Sequence, residues 1–312
     1  MDTVQKSVSG YSRVLCLTFI LIMAINGAGL YCAPDKPPVK ISGTLDWEKA
    51  ELTAVTELDL ASAGIRFPAG RIQAEGILND EYNSLMKPLL LTIQADSSST
   101  VEDLVNKGEL NQRDLNEICL SARMVPPNFT PDLTRFTANS AINLSYIRAA
   151  LIRHSRPAEP NRPVIPSPAA NYTGIIIIAD QPLPIRGRNT SALLKPCLFP
   201  KIWDTEMNLI YEKNMTDPSL TGSGINNPVH YTKTESIYNL TPSGLTDDLI
   251  KLVGDRPLRI FATSVFGTVP TDPVIDKNDA LLILSAENNR RLLREGKVVF
   301  VINESMLKKT LP

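Results

Sequence analysis

The chain has 312 residues, with 32 Lys and Arg set against 33 Asp and Glu for a net charge of -1, and 43% of its residues are apolar. That balance, with no run of Lys or Arg, excludes the electrostatic footprint of a nucleic-acid-binding protein or an anionic-surface binder. The apolar share supports packed cores, and the length allows two domains.

Residues 14–25 form an apolar run behind Lys6 and Arg13 and ahead of Asn26, Gly27, Ala28 and Gly29. A charged start, a short apolar centre and a small-residue tail mark a secretory signal, here expected over residues 1–33. The run falls short of the ~20 apolar residues that a bilayer span needs, which favours cleavage over a retained anchor. Cys32 stands where a lipid-modified cysteine would stand, with bulky Tyr31 in the place normally held by a small residue. Export removes the chain from cytosolic ATP, NAD and glutathione. Ala33, Pro34, Asp35, Lys36, Pro37 and Pro38 then read as a short tether.

Alternating apolar positions over 40–60, with a turn near Asp46 to Lys49, predict a β-hairpin. Helical spacing of Ile72, Ala74, Ile77, Leu78, Tyr82, Leu85, Met86 and Leu89 predicts a helix over about 68–93, kinked or interrupted at Pro88. Ser99 and Glu102 have the form of a capping box for a short helix to Asn106, which Gly108 ends. A second amphipathic helix is expected over 110–124, carrying Cys119 on its apolar side and stopped by Pro126 and Pro127. Residues 134–143 read as extended, and 146–152 as a strand or short helix. Prolines at 157, 160, 163, 166 and 168 predict an extended linker over 156–171.

Past the linker, 174–179 is a β-branched run expected as a buried strand. A hairpin is expected where 199–203 and 207–211 flank Asp204, Thr205 and Glu206. After a loose stretch over 216–236, strands are expected at 258–266 and 272–275. A helix capped by Asp276 and closed by Gly296 follows, then a last strand at 297–302 that completes the sheet. Arg290 and Arg291 read as a solvated helix face. The fold class is α+β: a helix-plus-antiparallel-sheet module over 39–155, the linker over 156–171, and a strand-rich α+β module over 172–305.

Candidate chemistry is sparse. The chain has two histidines, His154 at an element end and His230 in a turn-like segment, so imidazole-based catalysis is confined to those positions. Cys119 and Cys197 can form one disulfide or remain two buried thiols. No Cys-x-x-Cys pair calls for zinc or thiol exchange, and nothing calls for a cofactor. Asp204 with Glu206, or Asp272 with Asp276, could serve an exported carboxylate hydrolase, yet a hairpin turn and a helix cap explain these residues structurally. Sequons at Asn128, Asn143, Asn171, Asn189, Asn214, Asn239 and Asn303 raise a third reading, a secreted glycoprotein.

Six features of the second half occur in a telling order: Tyr172-Thr-Gly followed by the strand to Ala179; Pro196 and Pro200-Lys-Ile-Trp-Asp204; Met207-Asn-Leu-Ile-Tyr211; the strand 258–267; Asp272-Pro-Val-Ile-Asp-Lys-Asn-Asp-Ala280; and Gly296-Lys-Val-Val-Phe-Val-Ile302. Over 172–303 this resembles the LPP20 and flagellar-assembly-T family of bacterial envelope proteins, in a spirochaete version. The resemblance implies a non-enzymatic periplasmic or outer-membrane protein without catalytic residues, either a scaffold or ring component near the flagellar motor or a surface-exposed binding lipoprotein. Its expected partners are further copies of itself or envelope and flagellar ring proteins, with outer-membrane attachment through Cys32 where that residue is lipidated.

Overall fold

Two β-sheets share one hydrophobic core. The computed structural model describes residues 39–66, 69–219, 227–239 and 241–311. The signal-like run, Cys32, the tether and Pro68 lie outside the described residues.

The first sheet is built from β1 (Val39–Asp46), β2 (Glu51–Asp59), β3 (Arg123–Phe129), β4 (Arg135–Asn143) and β14 (Lys308–Leu311), in the order β14-β1-β2-β4-β3, all antiparallel. Leu52, Ala54, Thr56 and Leu58 of β2 are buried, as are Phe136, Ala138, Ser140 and Ile142 of β4. This is the period-two pattern of a sheet with one face toward a core. Helix α1 (Arg71–Leu91) lays Ala74, Leu78, Tyr82, Met86, Leu89 and Leu90 on that face. Pro88 lies within it, so of the expected kink or interruption the interruption does not occur. The proline falls in the last turn, where Met86, Leu89 and Leu90 are packed at 0–2% exposure and hold the backbone in place.

Helices α2 (Val101–Asn106) and α3 (Gln112–Leu120) follow. The capping box of α2 is shifted by one residue from the expected Ser99 and Glu102. Thr100 caps it, accepting from the Asp103 amide, while Asp103 accepts from the Thr100 amide at 2.8 Å. An identical device at Asn111 and Asp114 opens α3. That helix stops at Leu120, four residues short of the expected end, because 123–129 is taken up by β3. Pro126 and Pro127 sit inside this strand and do not act as a helix stop. Their tolerance has a physical cause: β3 is the sheet edge, and its register slips between Val125 and Asn128, so neither missing amide is owed to β4. Helix α4 (Leu144–Leu151), capped by Asn143, completes this half.

The second sheet holds β5 (Ile175–Ala179), β8 (Ile202–Asp204), β9 (Leu209–Tyr211), β10 (His230–Thr232), β11 (Leu258–Phe266), β12 (Asp272–Ile275) and β13 (Val298–Ile302), in the order β10-β13-β5-β11-β12-β8-β9. β6 (Leu183–Pro184) and β7 (Ser191–Ala192) form a small separate hairpin. Strands β10, β13, β5 and β11 run parallel, and every residue of β5 and β13 is buried, as befits strands covered on both faces. Ile176, Ile178, Val299 and Val301 face α5 (Asp247–Val253), while Ile175, Ile177, Val298, Phe300 and Ile302 join the core shared with the first sheet. Gly174 permits this closeness: a Cβ there would lie 2.6 Å from the Val253 backbone.

Three further expectations are corrected. The stretch 216–236, read as loose, contributes β10 to the sheet, so His230 is in a strand and not in a turn. The single helix after Asp276 is two, α6 (Lys277–Ser285) and α7 (Glu287–Arg294), divided by extended Ala286. Arg290 is 6% exposed, not solvated, and donates to the Leu284 carbonyl and to Glu287. Strand β13 is, as expected, the last strand of its sheet in chain order, and it lies between β10 and β5. After α8 (Glu304–Leu307) the chain crosses to the first sheet and adds β14 beside β1.

The segment 156–171 has no regular structure, and Asn289 ties its end to the helix pair. The Asn289 side chain accepts from the Tyr172 amide at 3.1 Å and donates to the Ala170 and Leu282 carbonyls, each at 2.9 Å. Val39–Pro312 is one compact unit. Because Leu311 is buried at 2% exposure beneath β1, Leu311→Ala is expected to lower stability by ~2–5 kcal/mol. Exposed Thr310→Ala is expected to change it by less than about 0.5 kcal/mol, both read from denaturant midpoints.

Candidate functional site at the seam of the two sheets

The residues expected to carry chemistry are spread through the fold and engaged in holding it. Asp204 accepts from the Glu206 and Asn208 amides at 2.9 and 2.8 Å and from the Asn208 side chain at 2.8 Å, closing the β8–β9 turn in which Met207 takes a φ of 63°. Glu206 pairs with Lys277 across 2.6 Å. Asp276 caps α6 through the Asn278 amide. Asp272 is buried, accepts from the Lys201 amide and the Thr271 hydroxyl, and burial raises its pKa. His154 is hydrogen-bonded through Nε2 to the Thr216 carbonyl at 2.8 Å.

Cys119 and Cys197 are both buried free thiols, so the bridge that the sequence allows is not formed. Burial raises the Cys119 thiol to about 11. Cys197 is raised further, by burial and then by the nearby Asp272 carboxylate. Neither is a thiolate nucleophile at neutral pH.

Polar groups instead converge on the seam between the sheets. Arg148 of α4 is fully buried, donating through Nε to the Leu198 carbonyl at 3.2 Å and through Nη1 to the Asn227 side chain. Burial lowers its pKa to about 10, which leaves it charged at neutral pH. Tyr231 stacks edge-on between Trp47 and Phe300, with centroids 5.8 and 5.7 Å away, and its hydroxyl donates to the Cys197 carbonyl while accepting from the Cys197 amide. Backbone bonds from Leu198 to Gln94, Phe199 to Ala95 and Val269 to Ser97 continue the join. Gly267, at φ 112°, allows it: a Cβ there would stand 2.4 Å from that of Ser97.

A crevice of about 300 Å³ opens along this seam. Its apolar walls are Leu45, Trp47, Pro196, Val269 and Met306; Thr92, Gln94 and Ser305 add neutral polar groups, and Lys195, Lys308 and Lys309 are its charged residues. Concave, mostly apolar sites with a few polar groups are the usual form of small-ligand pockets, and they favour junctions such as this one. Sequence reasoning did not find the crevice, since β14 brings Lys308 and Lys309 beside Trp47 and no local pattern announces that return. Among the described residues no group of three or more His, Cys, Asp or Glu side chains is placed to hold a metal ion.

Arg148→Ala strands the Leu198 carbonyl and the Asn227 amide oxygen and leaves a void, with an expected loss of ~2–4 kcal/mol in urea unfolding. Arg148→Met keeps the bulk without the desolvated charge and is expected to lose less. His230 is lowered to about 4 by burial and then by Arg148. Its neutral form is favoured in the fold, so the associated stability is complete above pH 6.5 and declines from there to about pH 4, by no more than ~3 kcal/mol. A pH series of denaturant midpoints should show this slope, and His230→Phe should flatten it.

Residues 38–150 match the N-terminal domain of Treponema pallidum Tp0624, and residues 174–304 match its second domain. No curated protein matches the chain. The two matches fall in order on the two halves of the α+β fold and together cover most of the sequence, so each half of the chain is similar to the corresponding domain of that spirochaete protein.

Proposed function

We propose that the chain is a non-enzymatic, exported envelope protein of a spirochaete, acting as a scaffold or ring component at the outer membrane or flagellar motor, as its resemblance to LPP20 and flagellar-assembly-T proteins implies. The observation that carries this reading is the use to which the chain puts its reactive side chains. Asp204, Asp276 and His154 serve a turn, a cap and a packing bond, and Cys119 and Cys197 are protonated core residues. The signal-like run at 14–25 supports export, and Cys32 offers a point of attachment. Welded sheets give a body suited to bearing contacts with neighbours, self-association being the usual form such contacts take.

Intact-mass measurement of the protein from its native envelope, with sizing of the same sample, tests this. A chain cleaved at the signal, recovered in the envelope fraction in a large assembly or with an acyl adduct on Cys32 that Cys32→Ala removes, is the expected result. A soluble monomer that retains residues 1–33, or one that carries sugar on its sequons, overturns it.

A further inference from the structure

We propose that the seam crevice is a binding site for a small amphiphilic carboxylate, with its apolar tail against Trp47 and its anionic head between Lys195 and Lys309. The proposal stands on the crevice alone and does not depend on the envelope role. Three features carry it. First, the walls are apolar, formed by Leu45, Pro196, Val269 and Met306 with Trp47, so they suit a hydrocarbon or aromatic group. Second, all the charged residues of the lining are cations. Lys308 is already shared with Asp46 at 3.6 Å, whereas Lys195 and Lys309 make no ion pair among the described residues. Two free ammonium groups fit a single anionic head, and their charge is opposite to that of a carboxylate. Third, Trp47 is 4% exposed and lines the crevice, which places an aromatic ring with an indole N–H at its border. An indole N–H and ammonium groups are donors only, so the polar border of the site is weighted toward donation.

Edge lysines also guard sheets against pairing with other strands, and β14 is an edge strand. The test therefore separates ligand binding from edge protection. In the full chain carrying Trp203→Phe, Trp47 is the remaining tryptophan, and its emission reports occupancy directly. Octanoate, octanol, acetate and octyl phosphate are titrated in turn. The expected result is a shift of Trp47 emission by octanoate, with at least tenfold tighter binding than octanol or acetate, weakened by added salt. The double variant Lys195→Gln with Lys309→Gln should reduce octanoate binding at least tenfold. Its thermal midpoint should be unchanged, since both side chains are exposed. Equal binding of octanol, an unmoved Trp47 signal, or tighter binding of octyl phosphate overturns the assignment. So does a double variant that binds octanoate as the parent does, and if that variant also self-associates the lysines are edge guards. Should the double variant melt earlier, Lys195→Gln alone, which lies outside both sheets, repeats the test and is expected to show a weaker loss in the same direction.

Discussion

The pairing of β14 with β1 is the constraint on which the rest of the fold depends. Gly43, Thr44, Leu45 and Asp46 stand opposite Leu311, Thr310, Lys309 and Lys308, so the first sheet is finished by the far end of the chain. Two family domains that could have been beads on a string are thereby held in one unit, with Trp47, Tyr231 and Phe300 packed across the join. The crevice is a product of the same return, since Lys308 and Lys309 arrive with β14 and its tryptophan sits just beyond β1.

The seam is polar at its centre as well as apolar. Arg148 is a full charge with no ion-pair partner among the described residues, held by a carbonyl and an amide oxygen, and its lowered pKa records the cost of removing it from water. Polar bonds of this kind contribute little net energy, yet they are direction-sensitive and expensive to leave unmade. An apolar join would tolerate sliding. A guanidinium that must reach Leu198 and Asn227 fixes how α4 sits against the second half.

Elements set by local chemistry were legible in the residues. The alternation in β2, the helical spacing of α1 and the buried run of β5 each follow from a period that the chain itself displays, and the α+β class follows from them. What escaped was set by partners distant in sequence. Pro126 and Pro127 read as a helix stop because proline lacks an amide, but an edge strand with a register slip has no use for that amide. His230 read as part of a turn because its neighbours are Asn and Pro, whereas β13 supplies the pairing that makes it a strand. Ala286 carries no breaker signal, and the α6–α7 division is accompanied by Asn289 bonds to Ala170 and Tyr172 that no local pattern announces. For the site, residue types could place Asp204 and Asp276 in a turn and a cap. They could not place Lys309 beside Trp47.

The return of β14 also orders events in time. While the chain is being made, β1 has β2 as its neighbour but an open outer edge, and the buried place of Leu311 remains empty. The first half therefore cannot reach its final state until residues 308–311 exist and the second half has folded far enough to carry them across. Contacts spanning nearly the whole sequence make folding slow, and the outer edge of β1 stays unpaired until the last strand arrives.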